Sequence, residues 1–475
     1  MQVQDGKSSE EEGETQSFLP ENLSPNTFPL TPPVSPRTST TSLLPRRHAR
    51  SPTSTTLLLL LALVPEGILE AMLIPLYPYL VRATGVDEGS VGYYAGLLSS
   101  AFYGPLFVTN VVWGGISDRY GRRRVLLLGA SFGFLAAVLL SIGQRLELLF
   151  VARLLAGTFG ANSTVTKGTL GLLWGDDDGR AWAYSMYGGV YGVSGILGPV
   201  LAGLLVGDGE FQRACWVGAV LMGGAVGVLW WGVKDGEGGY SVLDNQDSSK
   251  SLPDEDDGDE VKDSVDDTLD TVDPPSPILP ITLYCITAFT TSLYMTALPL
   301  YLSSPFPGPN QSPQQTSYQV MLIAVTKLLG QTLCFRFVSR WVGKWGCVLL
   351  GMAGFLVGLL VIGLRVLGFV EGGLELVLVL LGLSEVCAYL AVIVLITDAA
   401  SKQSLGLVHG VASTCAAATR TVAPAVAGSL WQWGVGVGGA GRGVVFWAGA
   451  FVGALGLLAA AWGLSRRSRV VERIE

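Results

Sequence analysis

A chain of 475 residues with only 14% charged side chains and a mean hydropathy of +0.46 falls far below the roughly 25% charge of soluble domains, so it is solvated mainly by lipid. Its formal net charge of −8 comes from one internal acidic segment. The basic residues form short clusters beside apolar runs, which excludes a nucleic-acid-binding face. No nucleophile–base set, phosphate-binding loop or metal-ligating cluster is present, so neither an enzyme nor a cofactor is expected.

In chain order, residues 1–55 are polar and rich in Pro, Ser and Thr, which predicts a disordered tail. Arg46, Arg47, His48 and Arg50 should hold it on the cytoplasmic side. No cleavable signal peptide is evident, and the apolar run from residue 57 reads as the first spanning helix. Spans are predicted at 57–80, 91–113, 125–143, 148–172, 183–206 and 213–233. A second set follows at 278–303, 317–338, 346–364, 372–397, 406–430 and 443–464, each long enough to cross ~30 Å of hydrocarbon.

The expected fold is therefore an all-α membrane protein of twelve transmembrane helices in two six-helix bundles, 56–233 and 278–465. The linker 234–277 carries fifteen Asp and Glu against two Lys between 235 and 273, and such a run self-repels and forms no core. With the tail 466–475 basic, and with Arg119, Arg122, Arg123, Arg124, Arg336, Arg340 and Lys344 falling on one side, both termini are expected in the cytoplasm. The six cysteines form no CxxC pair and suggest neither disulfides nor a thiolate metal site.

The two sets of spans look duplicated. Pro75-Leu76-Tyr77 recurs as Pro299-Leu300-Tyr301, Gly121 through Gly129 weakly as Gly343 through Gly351, and Pro199 and Gly203 as Pro424 and Gly428. These matches run in order at nearly one offset, which suggests pseudo-symmetric halves, an arrangement that places a site between them.

The strongest local motif runs from Trp113 to Arg124, WGGISDRYGRRR. Its glycines permit tight packing, its arginines mark the cytoplasmic face, and Asp118 can receive an arginine or a helix N-terminus. This stretch resembles the G-x-x-x-D-R-x-G-R-R loop of the major facilitator superfamily, with Gly114, Asp118, Arg119, Gly121, Arg122 and Arg123 in the family's positions. The resemblance implies a conformational latch used in alternating access.

Arg153-Leu-Leu-Ala-Gly157 is similar to the superfamily's R-x-x-Q-G, which implies a part for Arg153 in proton handling. Ser185, Gly198, Pro199 and Gly203 resemble the antiporter motif of helix five. Pro65-Glu66 with Pro75-Leu-Tyr-Pro78, and the segment 406–431, resemble the zinc-induced-facilitator-like and fungal multidrug branch of the drug:proton antiporters.

Two acids stand where acids are costly. Glu66 and Glu70 share one helical face, and each carboxylate at mid-depth costs about 2.5–3.5 kcal/mol on insertion scales. Glu70 lies roughly 20 Å from the inner end of its span, at a depth that Arg153 can meet. Glu66, Glu70 and Arg153 are the expected proton-coupling group, with Glu70 placed ahead for its depth. Tyr77, Tyr191, Lys327, Glu385 and Arg420 are candidates for a substrate cavity.

The implied function is proton-coupled export of small organic compounds or drugs by a functional monomer, with substrate, protons and the lipid bilayer as partners. Metal or nutrient transport on the same fold, or a membrane sensor that transports nothing, are the alternatives. Zinc is disfavoured because His409 is the sole histidine in a span. Plasma and vacuolar membranes fit the sequence equally.

Overall fold

The computed structural model describes residues 51–471 apart from 175–176, 207–210, 234–275, 306–307 and 401–404. The N-terminal tail, the acidic linker and the last four residues of the predicted basic tail lie outside these residues. Among the described residues there is no strand. The helices are α1 Pro52–Ala83, α2 Val91–Tyr120, α3 Arg122–Ile142, α4 Leu146–Phe159, α5 Asn162–Leu173, α6 Asp177–Leu205 and α7 Phe211–Gly232. In the second half they are α8 Ile278–Ser303, α9 Pro313–Leu329, α10 Phe335–Val366, α11 Leu374–Asp398, α12 Leu405–Val437 and α13 Val444–Val471.

Among the described residues, nine helical stretches are long and apolar enough to cross a bilayer, and the bent pair Glu88–Asn110 and Val112–Tyr120 makes a tenth. One of the nine, Pro313–Val366, has 54 residues, about 80 Å at 1.5 Å per residue, far more than one crossing needs. It breaks at Gly343, where φ is 70° and ψ 176°, and so supplies two spans. α12 falls short on hydropathy, yet it packs between α2 and α8 in the middle of the protein. Twelve spans result, with α4 and α5 forming one span interrupted at Gly160.

The break at Gly343 is the counterpart of the turn at Gly121, where φ is 94° and ψ 136°. Both glycines occupy backbone that L side chains avoid, and both stand at the inter-helix turn of the repeated motif. Gly121→Ala and Gly343→Ala should each cost about 1–2 kcal/mol of stability. Gly115→Ala, inside a helix with nothing within 4 Å of an added Cβ, should not. Thermal midpoints of the three purified variants decide this.

Within the first half α1 packs on α6 and α7, and α3 on α7 and α4; within the second, α10 packs on α11 and α13, and α8 on α12 and α13. The halves meet through α2 against α12 and α6 against α9. This contact is tightest at the end away from Gly121 and Gly343. There a Cβ on Gly96 would stand 2.3 Å from the Pro424 carbonyl oxygen, and one on Gly428 2.3 Å from that of Gly92. The Tyr79 hydroxyl reaches the Gln311 carbonyl and the Thr316 hydroxyl, each at 2.7 Å, and Gln314 Nε2 donates to the Val206 carbonyl at 3.4 Å.

At the opposite end the same four helices are parted. Gly114, Gly188, Gly189 and Gly410 have nothing within 4 Å of an added Cβ, and Val112, Met186, Leu333 and Val411 are exposed. The structure is closed at one end and open at the Gly121 end.

Candidate functional site

The polar groups that composition makes expensive gather in one layer. Glu66, Glu70, Tyr103, Lys327, Glu385 and Arg420 lie 11 to 17 residues from the closed-end termini of their helices, roughly 15–25 Å along each axis.

On α1, Pro65 interrupts the backbone ladder next to Glu66, which neighbouring helices in a membrane can compensate. Glu70 accepts from Arg153 Nη2 at 2.8 and 3.1 Å. The Arg153 side chain is 2% exposed and that of Glu70 20%. Arg153 is enclosed by aromatics, its guanidinium 4.3 Å from the Phe102 ring centre and 5.5 Å from that of Tyr77. α4 presses on α2 closely enough that a Cβ on Gly157 would stand 2.2 Å from the Phe102 carbonyl oxygen. That approach brings the Arg153 span against the wall of α2.

Glu66 has a different partner. The interruption at Gly160 restarts the helix at Asn162, and Asn162 Nδ2 donates to Glu66 Oε2 at 3.1 Å. No cation lies within 4 Å of Glu66 among the described residues. Asn162 Oδ1 is buried without a partner. Both carboxylates border a small cleft, about 30 Å³, that Gly129, Gly133, Ala156 and Gly160 also line. Two acids four residues apart are thus held unlike each other: Glu70 by a buried cation, Glu66 by an amide at the edge of a cleft.

The second half holds its own polar set. Lys327 Nζ is 2.5 Å from Glu385 Oε1, and the Tyr294 hydroxyl donates to Glu385 Oε2 at 2.8 Å. Just past Lys327 the helix widens into a π-turn, Gly330–Cys334, a distortion common at functional positions. Arg420 Nη2 donates to the Tyr389 hydroxyl at 2.5 Å, and that hydroxyl is 2.7 Å from the Tyr284 hydroxyl. Between the halves, the Tyr103 hydroxyl lies within interaction range of both Glu70 and Arg420.

Of the other residues singled out in the sequence, Tyr191 stands at the depth of this layer and the rest lie apart from it. Tyr77 is buried in the first-half core, its ring facing Arg153. Tyr191 is 40% exposed and its hydroxyl accepts from Tyr187 at 3.3 Å. Asp118 pairs with Arg122 at 3.1 Å on the surface at the open end. Arg123 donates to the Trp230 carbonyl at 2.9 Å, Arg119 is exposed and Gly114 meets open space. Ser185 is exposed on α6, whereas Gly198 lies against Ala71 and Met72 of α1, Pro199 is buried beside it, and Gly203 meets Ser317 of α9. Among the described residues no group of three or more His, Cys, Asp or Glu side chains could hold a metal ion.

Sequence reasoning gave Asn162 no role. Its signal was available: an amide just past Gly160, in the same span as a buried arginine. Tyr103, Tyr284, Tyr294 and Tyr389 carried no such signal, since tyrosines in apolar spans serve equally as packing or interfacial residues.

Comparison with known proteins points to one family. The profile described as Major Facilitator Superfamily matches residues 59–262. The Arabidopsis thaliana protein ZINC INDUCED FACILITATOR 1 is 23% identical over 409 residues, covering 75% of this chain and 80% of that protein. The solved D-xylose–proton symporter superimposes with a TM-score of 0.67 at 15% identity, covering 86% of this chain and 96% of that one. The chain is similar to the major facilitator superfamily in sequence over residues 59–262 and in fold over most of its length. It is a multi-pass integral membrane protein. The class H tetracycline resistance protein of Pasteurella multocida is 30% identical over 152 residues, but the match spans 31% of this chain and 37% of that protein.

Proposed function

We propose that this protein exports small organic compounds in exchange for protons. The open end faces the cytoplasm, and the two halves, 56–233 and 278–465, rock about the polar layer. The observation that carries this reading is the asymmetric acid pair on α1. A carboxylate held by a buried cation cannot take up a proton without stranding that cation, which is costly in a low-dielectric site. Glu66 has only an amide partner and borders a cleft, so it can gain and lose a proton with no such penalty. Glu70 and Arg153 then form the fixed charge beside which Glu66 works.

The relatives support the same reading from outside. One is named for resistance to tetracycline and another, from Aspergillus fumigatus, is named as a multidrug transporter. A relative named for zinc gives metal transport its standing, but the polar layer offers oxygen and cationic nitrogen donors, where Zn²⁺ favours His and Cys. Asp118, with Arg122 and Arg123, is assigned to the inner latch, and Ser185, Gly198, Pro199 and Gly203 to the close helix contacts that move during the exchange.

The test is flux in proteoliposomes containing a pH-sensitive dye. A panel of amphiphilic drugs is offered on one side, with and without an imposed pH gradient. Substrate movement that follows the gradient and returns protons in the opposite direction supports exchange. Flux that ignores the gradient, or co-directional proton movement, contradicts it.

A further inference from the structure

Three cationic side chains stand in the mid-depth layer, and two are neutralised. Arg153 has Glu70 and Lys327 has Glu385. Arg420 has no carboxylate within 4 Å among the described residues; its protein partner is the neutral Tyr389 hydroxyl. A cation at this depth demands a counter-charge or water, and a guanidinium offers five N–H donors of which one phenol takes few. Tyr103 of α2, in the other half, lies within interaction range of the Arg420 guanidinium.

The surroundings of Arg420 favour a flat organic body. The Tyr284 and Tyr389 rings lie 5.0 Å apart, and the Arg420 guanidinium is 5.9 Å from the Tyr389 ring centre. The geometry points to a substrate subsite at Arg420, flanked by Tyr284, Tyr389 and Tyr103, that takes an organic anion, a carboxylate carried on an aromatic or other planar apolar body. A carboxylate matches the planar donor fork of arginine better than a compact charge does. The inference rests on the proposed transport function and adds the chemical class of the cargo. It also gives Tyr103 a position between cargo and Glu70, across the two halves.

The experiment is equilibrium dialysis of the purified full-length protein with 1-naphthoate and, separately, with the trimethyl(naphthylmethyl)ammonium cation. The wild type should prefer the carboxylate. Arg420→Gln should weaken naphthoate binding by about tenfold or more, the size of a lost charge-assisted contact, and leave the cation's affinity unchanged or improved. Arg420→Lys should fall between. This variant keeps the charge without the planar fork, and serves if Arg420→Gln does not fold.

A wild type that prefers the cation, or naphthoate binding indifferent to Arg420→Gln and Arg420→Lys, would overturn the assignment and leave Arg420 a packing residue. Dialysis needs no gradient, so failure of proton exchange in the flux assay is a separate result. Gradient-driven export of cations with no carboxylate preference would overturn this subsite alone.

Discussion

Replacing Arg153 by Met is expected to destabilise the solubilised protein by about 3–5 kcal/mol, the cost of leaving one half of a buried ion pair uncompensated. Arg153 is the largest fully buried side chain of the structure, and its removal strands Glu70 among apolar walls while emptying the space under Phe102 and Tyr77. Glu70→Gln leaves the opposite charge buried and is expected to lower the thermal midpoint as well. The double variant Glu70→Gln/Arg153→Met removes both charges and should recover much of the loss, because replacing a whole buried pair by apolar groups is often close to neutral. Thermal midpoints of the four proteins give the coupling directly. Additive losses in the double variant would mean that the two side chains stabilise the fold independently, and that the pair is not the fixed charge described here.

Gly96→Leu is expected to prevent the closed end from closing. The obstruction is backbone, the Pro424 carbonyl oxygen at 2.3 Å from an added Cβ, so no side-chain rotation relieves it. Each half keeps its own internal packing, and the protein should therefore fold but be held with this end parted. Transport should fall by about two orders of magnitude if the parted state leads the closed one by about 3 kcal/mol. Gly428→Leu meets Gly92 in the same way and should behave alike. The readout is maleimide labelling at Ser317→Cys in a background lacking the six native cysteines, since Ser317 is 1% exposed beside Gly203 at the closed end. Protection without the glycine substitution and labelling with it is the expected pattern. Protection in both would show that α2 and α12 yield sideways and that the close approach does not govern closure.

Much of the fold was legible because membrane spans write themselves as long apolar runs, and the twelve predicted spans coincide with helices to within a few residues at most ends. The main exceptions are α2, α6, α12 and α13, each running six or seven residues past one predicted end, since helices continue past the hydrocarbon into polar surroundings. The repeat also translated into geometry: Gly121 and Gly343, matched only by weak sequence likeness, share a positive φ. What hydropathy could not show was the break at Gly160, because a helix interrupted by one turn has the same composition as an intact one.

The partnership of Glu70 with Arg153 followed from depth, since both residues were too costly to stand alone. Depth could not tell which of two acids on one face would find the cation. That depends on the rotation of α4 and on the restart of its span at Asn162, and both are set by tertiary packing against α2. The sequence reading therefore placed Glu70 ahead as the proton carrier, whereas the function proposed here, argued from the Arg153–Glu70 pair, places Glu66 ahead. In the second half Lys327, Glu385 and Arg420 were visible as charges, but the sorting into one neutralised pair and one cation among tyrosines was not. Tyrosines at 284 and 389 lie 105 positions apart, and only the fold brings them to the same guanidinium.

The central claim is that Glu66 exchanges the proton while Glu70 holds Arg153. Its most direct measurement is gradient-driven accumulation in proteoliposomes by Glu66→Gln, compared with wild type and with passive substrate exchange in the absence of a gradient. The account predicts a folded variant with wild-type thermal midpoint that still exchanges substrate but no longer accumulates it when a pH gradient is imposed. Full gradient-driven accumulation by Glu66→Gln would contradict it and return the coupling role to another group of the layer.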